Sequence, residues 1–496
     1  MSVTYKNYID GAWEASATHK TFKNNNPADT MQVVGEFADS GRSDINYACT
    51  AAAMSKRKWA DTPAPKRAEL LFEIGQDLID QKENLSEIMT KEMGKVRAET
   101  RGVVQEAIDM AFYAAGEGRR MAGETVPSES VHKWAMSKRV PVGVIGCITP
   151  WNFPLAIPSW KIFPALIAGN TVVIKPAEDT PHTVMRFAEI CAGFLPHGVL
   201  NVVTGYGETA GEPLVNHPLV NFVSFTGSTE TGTKVAQMCA AQGKPYSLEM
   251  GGKNVIIVMD DADIELAVEG VIWGAFGTSG QRCTATSRVL VQEQIHDLFV
   301  KRLLDATEKL IVGDGMIDDI DIGPVINAKQ LTKIDSYVKV GKAEGAEMLC
   351  GGKYVPSPED PLFLDRGHYY RPTIFENCNA GMKIMQEEIF GPVAGIIKVK
   401  DFDEAIKTAN EVTYGLSGAI YTRNVNTAFH FIEQIETGLA YVNASTIGAE
   451  IQLPFGGVKG TGNGHREAGT TMIDNCTEWK SIYVDYSGKL QKAQID

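Results

Sequence analysis

The chain has 496 residues, with 47 Lys and Arg against 61 Asp and Glu, and a formal net charge of −14 at pH 7. This charge opposes binding to nucleic acids or anionic membranes, which need clustered Lys and Arg, and the sequence has no such cluster. A hydrophobic content of 44% and a charged content of 22% are typical of a soluble globular protein, and the length predicts two or three domains.

Targeting and metal signals are not apparent in the sequence. The N-terminus has no cationic segment followed by an apolar one, and apolar stretches such as 142–148 are too short to cross a bilayer. The eight cysteines lack metal or redox spacing, and the nine histidines form no His-Glu-x-x-His motif. We therefore expect a cytoplasmic protein with reduced thiols and no metal site.

The N-terminal part predicts mixed local structure. Residues 1–60 contain short strand-like runs, and residues 64–120 look helical because apolar side chains recur on one face. Residues 128–140, between two prolines, predict a strand that interrupts the helices.

From Val142 onward, strands alternate with helices. The predicted strands are 142–148, 171–175, 199–204 and 222–226. The helices between them are 159–168, one that begins at Asp179-Thr180-Pro181 with a capping side chain, and a short one before 222, and a further helix follows at 228–242. Strand-helix alternation at this spacing predicts an α/β fold with a doubly wound parallel sheet.

A second α/β stretch follows. Its predicted strands are 254–259 and 287–291, and its predicted helices are 263–277, 295–310, 403–411 and 425–434. Residues 351–361 predict a surface loop. The tail 477–486 alternates like an edge strand, which usually needs a partner.

Two segments carry the residues for covalent catalysis. Cys283 lies in GQRCTA (280–285), and Glu249 lies in LEMGGKN (248–254). The glycines let substrate and cofactor approach the backbone, and the apolar neighbours of Glu249 predict a raised carboxyl pKa, which suits a general base. The alternatives are a buried, inert cysteine and a carboxylate that is solvated or paired with Lys253.

Three further motifs precede these segments. They are PWNFP (150–154), IKPAE (174–178) and FTGS (225–228). Together the five motifs resemble the aldehyde dehydrogenase superfamily, in the family's order and over nearly the whole chain.

The resemblance implies oxidation of an aldehyde to a free carboxylate. Cys283 would be the nucleophile that forms a thiohemiacetal and then a thioester, and Glu249 would activate the hydrolytic water. The Asn152 side chain and the Cys283 backbone N–H would form the oxyanion hole, although Asn152 could also be a turn residue. A coenzyme A-acylating enzyme is a rival that Glu249 argues against, and a non-catalytic family member is another.

The resemblance also implies a dinucleotide site. Segment 225–232 lacks the Gly-x-Gly-x-x-Gly fingerprint, but its strand-Gly-Ser-helix junction can place a pyrophosphate at a helix N-terminus. Glu178 would bind the adenine ribose and repel a 2′-phosphate, so NAD is favoured, with NADP as the alternative because Lys175 could soften that repulsion. The expected cofactor residues are Ile148, Thr149, Pro150, Trp151, Lys175, Glu178, Gly207, Phe225, Gly227, Ser228, Glu388 and Phe390.

The loop 445–453 is expected to touch the substrate tail. Its polar anchors suit a substrate with a remote carboxylate, with which Arg282 could pair, although Arg282 could equally be a structural ion-pair residue. The residues expected to contact the substrate are Arg282, Glu106, Ser445, Gly448, Ala449 and Phe455.

The substrate branch stays open. Residues 448–451, the tail 484–490 and Glu106 resemble the branch that oxidises α-aminoadipic semialdehyde, whereas CTATSR (283–288) resembles the α-ketoglutaric semialdehyde branch. A carboxylated semialdehyde is therefore expected, with betaine aldehyde, succinic semialdehyde or a broad range of simple aldehydes as alternatives.

The resemblance implies three structural parts. They are a dinucleotide-binding domain (1–123 and 142–250, with part of 450–470), an α/β catalytic domain (251–449) and a small β-strand oligomerisation element (124–141 and 471–496). Because such strands join subunits in the family, a homodimer or homotetramer is expected.

Overall fold

The computed structural model describes residues 3–353 and 364–492. Two seven-stranded sheets dominate the fold. The strands of the first sheet, in spatial order, are β12 (Tyr246–Glu249), β11 (Phe222–Thr226), β8 (Val144–Ile148), β9 (Thr171–Lys175), β10 (Leu200–Val202), β2 (Asn7–Ile9) and β3 (Ala12–Glu14).

The first sheet is doubly wound, as predicted. Its strands from β12 to β10 are parallel, and β2 and β3 add an antiparallel edge. The chain runs from β8 outward to β10 and then returns to β11 on the other side of β8. Such a reversal opens a crevice at the carboxyl ends of the strands, where ligands bind in this class of fold.

The second sheet follows almost directly. Its strands, in spatial order, are β15 (Glu347–Lys353), β16 (Tyr370–Glu376), β17 (Val393–Val399), β14 (Thr286–Gln292), β13 (Asn254–Val258), β19 (Ser417–Tyr421) and β20 (Leu439–Val442). Neighbours are parallel except β15 and β16. Only residues 250–253 separate β12 from β13, so the carboxyl edge of the first sheet meets the amino edge of the second.

Three smaller sheets complete the β-structure. They consist of β1 (Thr4–Tyr5), β5 (Asp29–Ala38) and β4 (Thr21–Asn26); of β18 (Tyr414–Gly415) and β21 (Val458–Lys459); and of β22 (Thr477–Asp485), β7 (Lys133–Pro141) and β6 (Thr125–Val126). The predicted tail strand is therefore confirmed as β22, which pairs with β7 of the same chain.

Helices cover both large sheets. Those before β13 are α1 (Arg42–Asp61), α2 (Ala64–Asp80), α3 (Lys82–Met93), α4 (Arg97–Gly116), α5 (Ala156–Ala168), α6 (Pro181–Ala192), α7 (Glu212–Asn216) and α8 (Thr229–Ala240). Those after it are α9 (Ile264–Phe276), α10 (His296–Thr307), α11 (Ala328–Ala343), α12 (Lys383–Gln386), α13 (Phe402–Asn410), α14 (Val425–Gln434) and α15 (Met472–Cys476). No helix in the described ranges is long and apolar enough to cross a membrane.

Three local predictions need correction. Residues 1–60 were predicted to be mixed, with short strand-like runs, but their last part forms the 20-residue helix α1. Neither Asp179 nor Thr180 caps α6. Residues 351–353 belong to β15 rather than to a loop, and 354–361 lie outside the described residues.

The cap of α6 comes from elsewhere in the chain. The carboxylate of Glu92, on α3, accepts hydrogen bonds from the backbone N–H groups of His182 at 2.8 Å and Thr183 at 2.9 Å. A carboxylate there satisfies free amides and complements the helix dipole. The local sequence could not show this contact because the two partners lie about 90 residues apart.

Candidate active site

The candidate site lies where the two large sheets meet. Glu249 is the last residue of β12, and Asn254 is the first of β13. The Asn254 side-chain amide donates to the carbonyl oxygens of Cys283 at 2.7 Å and Ala285 at 2.9 Å. The turn that carries the thiol is thus fixed to the strand that follows the carboxylate.

The segment before Cys283 adopts an unusual backbone. Thr278, Ser279 and Gly280 have φ angles of 54°, 55° and 65°. These values lie in the left-handed region, which residues other than glycine rarely adopt. The Thr278 N–H donates to Glu99 on α4 at 2.7 Å, and the Ser279 hydroxyl donates to the Gly323 carbonyl at 2.6 Å. Contacts from two distant segments therefore hold a strained loop that presents Cys283.

Gly280→Ala is expected to disrupt this loop. A Cβ at Gly280 would collide with the backbone carbonyl of Gly391, in addition to the cost of its positive φ. Gly243→Ala is the matched control, because Gly243 has a φ of +62° but open space around its Cβ. In thermal unfolding, we expect Gly280→Ala to be less stable than the control by about 1–3 kcal/mol. In iodoacetamide labelling, we expect the rate at Cys283 to change in Gly280→Ala and not in the control. Equal effects of the two variants would contradict the assigned packing.

Burial controls the protonation of the thiol. It raises the pKa of the Cys283 thiol to about 12, and the carboxylates of Glu388 and Glu249 raise it further, whereas the backbone N–H groups of Thr284 and Cys283 oppose the rise. Without ligands, the side chain is therefore a protonated thiol at neutral pH. Its attack on a carbonyl requires a base or a nearby positive charge.

Asn152 lies beside the nucleophile turn, as the oxyanion-hole prediction requires. Its side-chain amide donates to the carbonyl of Gln281 at 3.0 Å, and its side-chain oxygen makes no hydrogen bond with the described residues. The residue is almost fully buried. One amide hydrogen is left to meet an oxyanion near Cys283.

Glu249 is a buried carboxylate, and the backbone N–H of Gly457 is the nearest donor to it. Burial raises its pKa well above the ordinary value, and the neighbouring carboxylate of Glu467 adds to this rise, while Lys161 and Arg466 oppose it. The direction agrees with the sequence-based prediction and suits a base that works near neutrality.

A buried ion pair lies next to Glu249. Lys161, on α5, pairs with Glu467 and also donates to the Ser224 hydroxyl at 2.9 Å. Both charged side chains are at least nine-tenths buried. Sequence reasoning missed these residues, because Lys161 lies within an apolar helix and Glu467 follows β21 in a segment without a recognisable motif.

The crevice at the carboxyl ends of β8, β9 and β11 fits a dinucleotide. Lys175 ends β9, and its ammonium donates to the Glu178 carboxylate at 3.0 Å, which leaves the other carboxylate oxygen for a ribose. The hydroxyls of Thr149, just after β8, and of Thr226, the last residue of β11, are buried without hydrogen bonds among the described residues. Such orphaned polar atoms at a switch point favour a polar ligand.

The turn after β11 leads into α8. Ser228 caps this helix by accepting a hydrogen bond from the Thr231 N–H at 3.3 Å, and Gly227 packs on the Phe225 ring. Phe225 itself is buried in the core, so its side chain supports the turn. At Gly207, a Cβ would meet no atom within 4 Å, which leaves room for a ligand.

The second sheet contributes the opposite wall. The Glu388 carboxylate accepts from the Gly252 N–H at 3.0 Å and lies where Gly251 has no room for a Cβ. The rings of Phe390 and Trp151 are 5.2 Å apart in a T-shaped contact. The segments 150–154 (PWNFP) and 387–392 (EEIFGP) therefore meet across the crevice, as expected if both belong to one cofactor site.

The structure favours the structural interpretation of Arg282. Its guanidinium donates to the Glu99 carboxylate at 3.0 Å and to the Thr278 hydroxyl at 2.9 Å. It also lies 4.9 Å from the Trp273 ring centroid. These contacts hold Arg282 in the loop that presents Cys283, and its charge is already paired with the Glu99 carboxylate.

Helix α4 borders the expected substrate path. A cavity of about 500 Å³ lies between this helix, at Asp109 and Tyr113, and the loop at Ile451 and Gln452. Glu106 is one turn earlier on α4, where burial raises the pKa of its carboxyl to about 7 while Lys95 and Arg282 oppose the rise. The cavity thus opens beside the loop that was expected to touch the substrate tail.

The other four predicted substrate residues all belong to the segment 445–455. The Ser445 hydroxyl donates to the Gly270 carbonyl at 2.8 Å, and Ala449 packs on the core that contains α4. Gly448 has a φ of +107° with open space around it, and the Phe455 ring lies 5.0 Å from that of Trp160. Among the described residues, no group of three or more His, Cys, Asp or Glu could hold a metal ion.

Comparisons with known proteins agree with this geometry. A profile described as "Aldehyde dehydrogenase family" matches residues 13–482. The chain is 43% identical over 485 residues to the alpha-ketoglutaric semialdehyde dehydrogenase of Bacillus subtilis, covering 97% of this chain and 98% of that one. It is 41% identical to the alpha-ketoglutarate semialdehyde dehydrogenase of Haloferax volcanii, covering 98% and 100%. A betaine aldehyde dehydrogenase from Staphylococcus aureus, solved with NAD+, has a TM-score of 0.95 and 34% identity, covering 98% and 97%.

Proposed function

Because the chain belongs to the aldehyde dehydrogenase family, we propose that it oxidises a carboxylated semialdehyde to the free carboxylic acid, with NAD as the cofactor and 2,5-dioxopentanoate (α-ketoglutaric semialdehyde) as the best candidate. The observation that carries this proposal is the convergence of Cys283, Asn152 and Glu249 at the junction of the two sheets. These are the nucleophile, the oxyanion donor and the hydrolytic base that the reaction needs.

The first half of the reaction acylates Cys283. As its Sγ bonds to the aldehyde carbon, the thiol proton leaves, and Glu249 is the nearby carboxylate that can take it. The carbonyl oxygen becomes an alkoxide that receives hydrogen bonds from the Asn152 amide and the Cys283 N–H. The chemistry that NAD supplies when bound is acceptance of the hydride that leaves this carbon.

The second half releases the acid. After Glu249 has released the thiol proton to solvent, it takes a proton from a water molecule, whose oxygen attacks the thioester carbon. The C–S bond breaks, the departing thiolate takes the proton back from Glu249, and the carboxylic acid leaves. A buried base with a raised pKa suits this step and argues against transfer of the acyl group to coenzyme A.

The cofactor preference rests on Glu178. Its carboxylate is held by Lys175 at the end of β9, so a ribose with two free hydroxyls can be accepted there, whereas a 2′-phosphate would face a negative charge. NAD is therefore proposed over NADP. The loop of Glu388 and Phe390 would hold the nicotinamide end.

The charges near the nucleophile support the substrate class. Lys95 and Arg282 both approach the ring of Phe153, the residue after Asn152. Arg282 is already paired with Glu99, so the unpaired Lys95 is the group that favours an anionic tail and disfavours the quaternary ammonium of betaine aldehyde. A neutral aldehyde could not form an ion pair with this charge.

The test is a comparison of kcat/KM for 2,5-dioxopentanoate, succinic semialdehyde, α-aminoadipic semialdehyde, betaine aldehyde and hexanal, each with NAD and NADP. The proposal requires the highest value for a carboxylated semialdehyde with NAD and an acid product without coenzyme A. A preference for betaine aldehyde, or equal values across the panel, would contradict the substrate assignment.

We propose further that the sheet of β22, β7 and β6 joins subunits. Strand β22 pairs on one edge with β7 and leaves its other edge free within the described chain. Its exposed side chains include Trp479 (55% exposed) and Tyr483 (68% exposed). A long apolar edge of this kind needs cover, and a second copy of the chain supplies it.

Tyr483→Asp is expected to weaken the oligomer. An added charge on this face would be buried or repelled in the subunit contact. Light scattering should show a dimer or tetramer for the wild type and for Tyr47→Asp, a control at an exposed tyrosine on α1, and a smaller species for Tyr483→Asp. A monomeric wild type would contradict the proposal.

A further inference from the structure

Lys95 is a buried lysine whose side-chain nitrogen has no hydrogen-bonding partner among the described residues. It lies between α3 and α4, is 2% exposed, and its ammonium nitrogen makes no hydrogen bond with the described residues. The nitrogen lies 3.4 Å from the centroid of the Phe153 ring. A cation–π contact of this kind compensates only part of the desolvation of a buried charge.

The neighbouring carboxylates do not neutralise Lys95 by direct pairing. Glu99 is occupied by the Arg282 guanidinium and the Thr278 N–H. Glu106 influences Lys95 electrostatically, but no ion pair joins them among the described residues. Burial and the charge of Arg282 lower the pKa of Lys95 well below its usual value, while Glu99, Glu106 and Cys283 oppose this.

Lys95 lies near the proposed reacting centre. Phe153 directly follows Asn152, and Cys283 is among the groups that act electrostatically on the ammonium. The cavity beside α4 begins about one turn from Glu106, and Glu106 and Lys95 interact electrostatically. An extended aldehyde of about five carbons whose carbonyl is at Cys283 would bring its far end towards this region.

We propose that Lys95, rather than Arg282, binds the remote carboxylate of the substrate and so determines specificity for semialdehydes that carry an acid. This inference rests on the proposed function and deepens it. Arg282 already has a carboxylate partner in Glu99, whereas the Lys95 ammonium has three donors and none in use. An arriving carboxylate would supply the ion pair that the folded protein leaves unmade.

The test compares two aldehydes of equal length, 5-oxopentanoate and pentanal, with wild type, Lys95→Met and Lys91→Met. Methionine keeps the length and volume of the lysine stem but removes the charge. Lys91, four residues earlier, is a half-exposed lysine paired with Glu87 on the same helix and serves as the control. The readouts are the kcat/KM ratio of the two aldehydes, the dissociation constant of glutarate, and the thermal midpoint without ligand.

We expect Lys95→Met to lower the kcat/KM ratio of 5-oxopentanoate to pentanal by about 10- to 100-fold, mainly through KM, and to weaken glutarate binding by a similar factor. Its thermal midpoint should not fall, because an unpaired buried charge has been removed. The control should match wild type in all three readouts.

Three results would overturn the inference. Equal losses for both aldehydes together with a lower midpoint would show that Lys95 is structural. An unchanged ratio in Lys95→Met, with wild type still preferring 5-oxopentanoate, would place the carboxylate elsewhere and leave the proposed function intact. A wild type without preference for 5-oxopentanoate would instead remove the substrate class itself, and the inference with it.

Discussion

Cys283→Ser is expected to lower kcat/KM for every aldehyde by roughly 10³-fold or more. A hydroxyl is a far weaker nucleophile than a thiolate, and the buried site provides no base strong enough to ionise it. Initial rates of NADH formation, with the folded state checked by thermal unfolding, measure the effect. NAD binding should persist, because the expected cofactor residues lie on other loops.

Cys350→Ser is the matched control for this variant. Cys283 and Cys350 are both partly exposed, whereas the other six cysteines are buried. Cys350 lies on β15, at the far edge of the second sheet from the nucleophile turn. Wild-type rates are expected for Cys350→Ser. A Cys283→Ser enzyme that retained more than a small fraction of wild-type activity would contradict covalent catalysis at this residue.

Glu249→Gln is expected to lower kcat by roughly 10²- to 10⁴-fold, because hydrolysis of the thioester loses its general base. Hydride transfer should suffer less, so a rapid burst of NADH, close to one equivalent per active site, should precede the slow phase. Mass spectrometry of the quenched protein should find the acyl group on the peptide that contains Cys283. Glu230→Gln, at an exposed acid paired with Lys234, is the control.

The pH dependence of Glu249→Gln gives a second readout. Burial raises the pKa of the Glu249 carboxyl, and only the deprotonated form can act as a base. The hydrolysis rate of wild type should therefore fall as pH falls through this raised pKa, while the rate of the Gln variant should stay flat over the same range. A parallel pH profile in the variant would assign the titration to another group.

The large elements of the fold could be predicted from local pattern. Strands 171–175 and 222–226 and helix 425–434 were predicted with the bounds that the structure shows, because buried β-branched runs and strong helical periodicity carry their own signal. Cys283, Glu249 and Asn152 were identified through motifs around glycines and prolines. Their proximity follows from the order of the first sheet, in which β8 and β12 flank β11, and from the short link 250–253 that joins β12 to β13 beside β14.

The supporting residues of the site could not be predicted in the same way. Glu99 contacts Arg282 from a position 183 residues earlier, and Lys161 pairs with Glu467 across 306 residues. No local pattern distinguishes a charged helix residue that faces solvent from one that is buried against a distant loop. Arg282, beside the nucleophile, therefore looked available to a substrate until the structure showed its partner.

The measurement that tests the central claim most directly is the stoichiometry of the wild-type reaction with 2,5-dioxopentanoate and NAD in the absence of coenzyme A. The account predicts one NADH and one free dicarboxylic acid, 2-oxoglutarate, for each aldehyde consumed, with repeated turnover. Folded protein with a titratable Cys283 thiol that formed no NADH, or that stopped after one equivalent until coenzyme A was added, would contradict it.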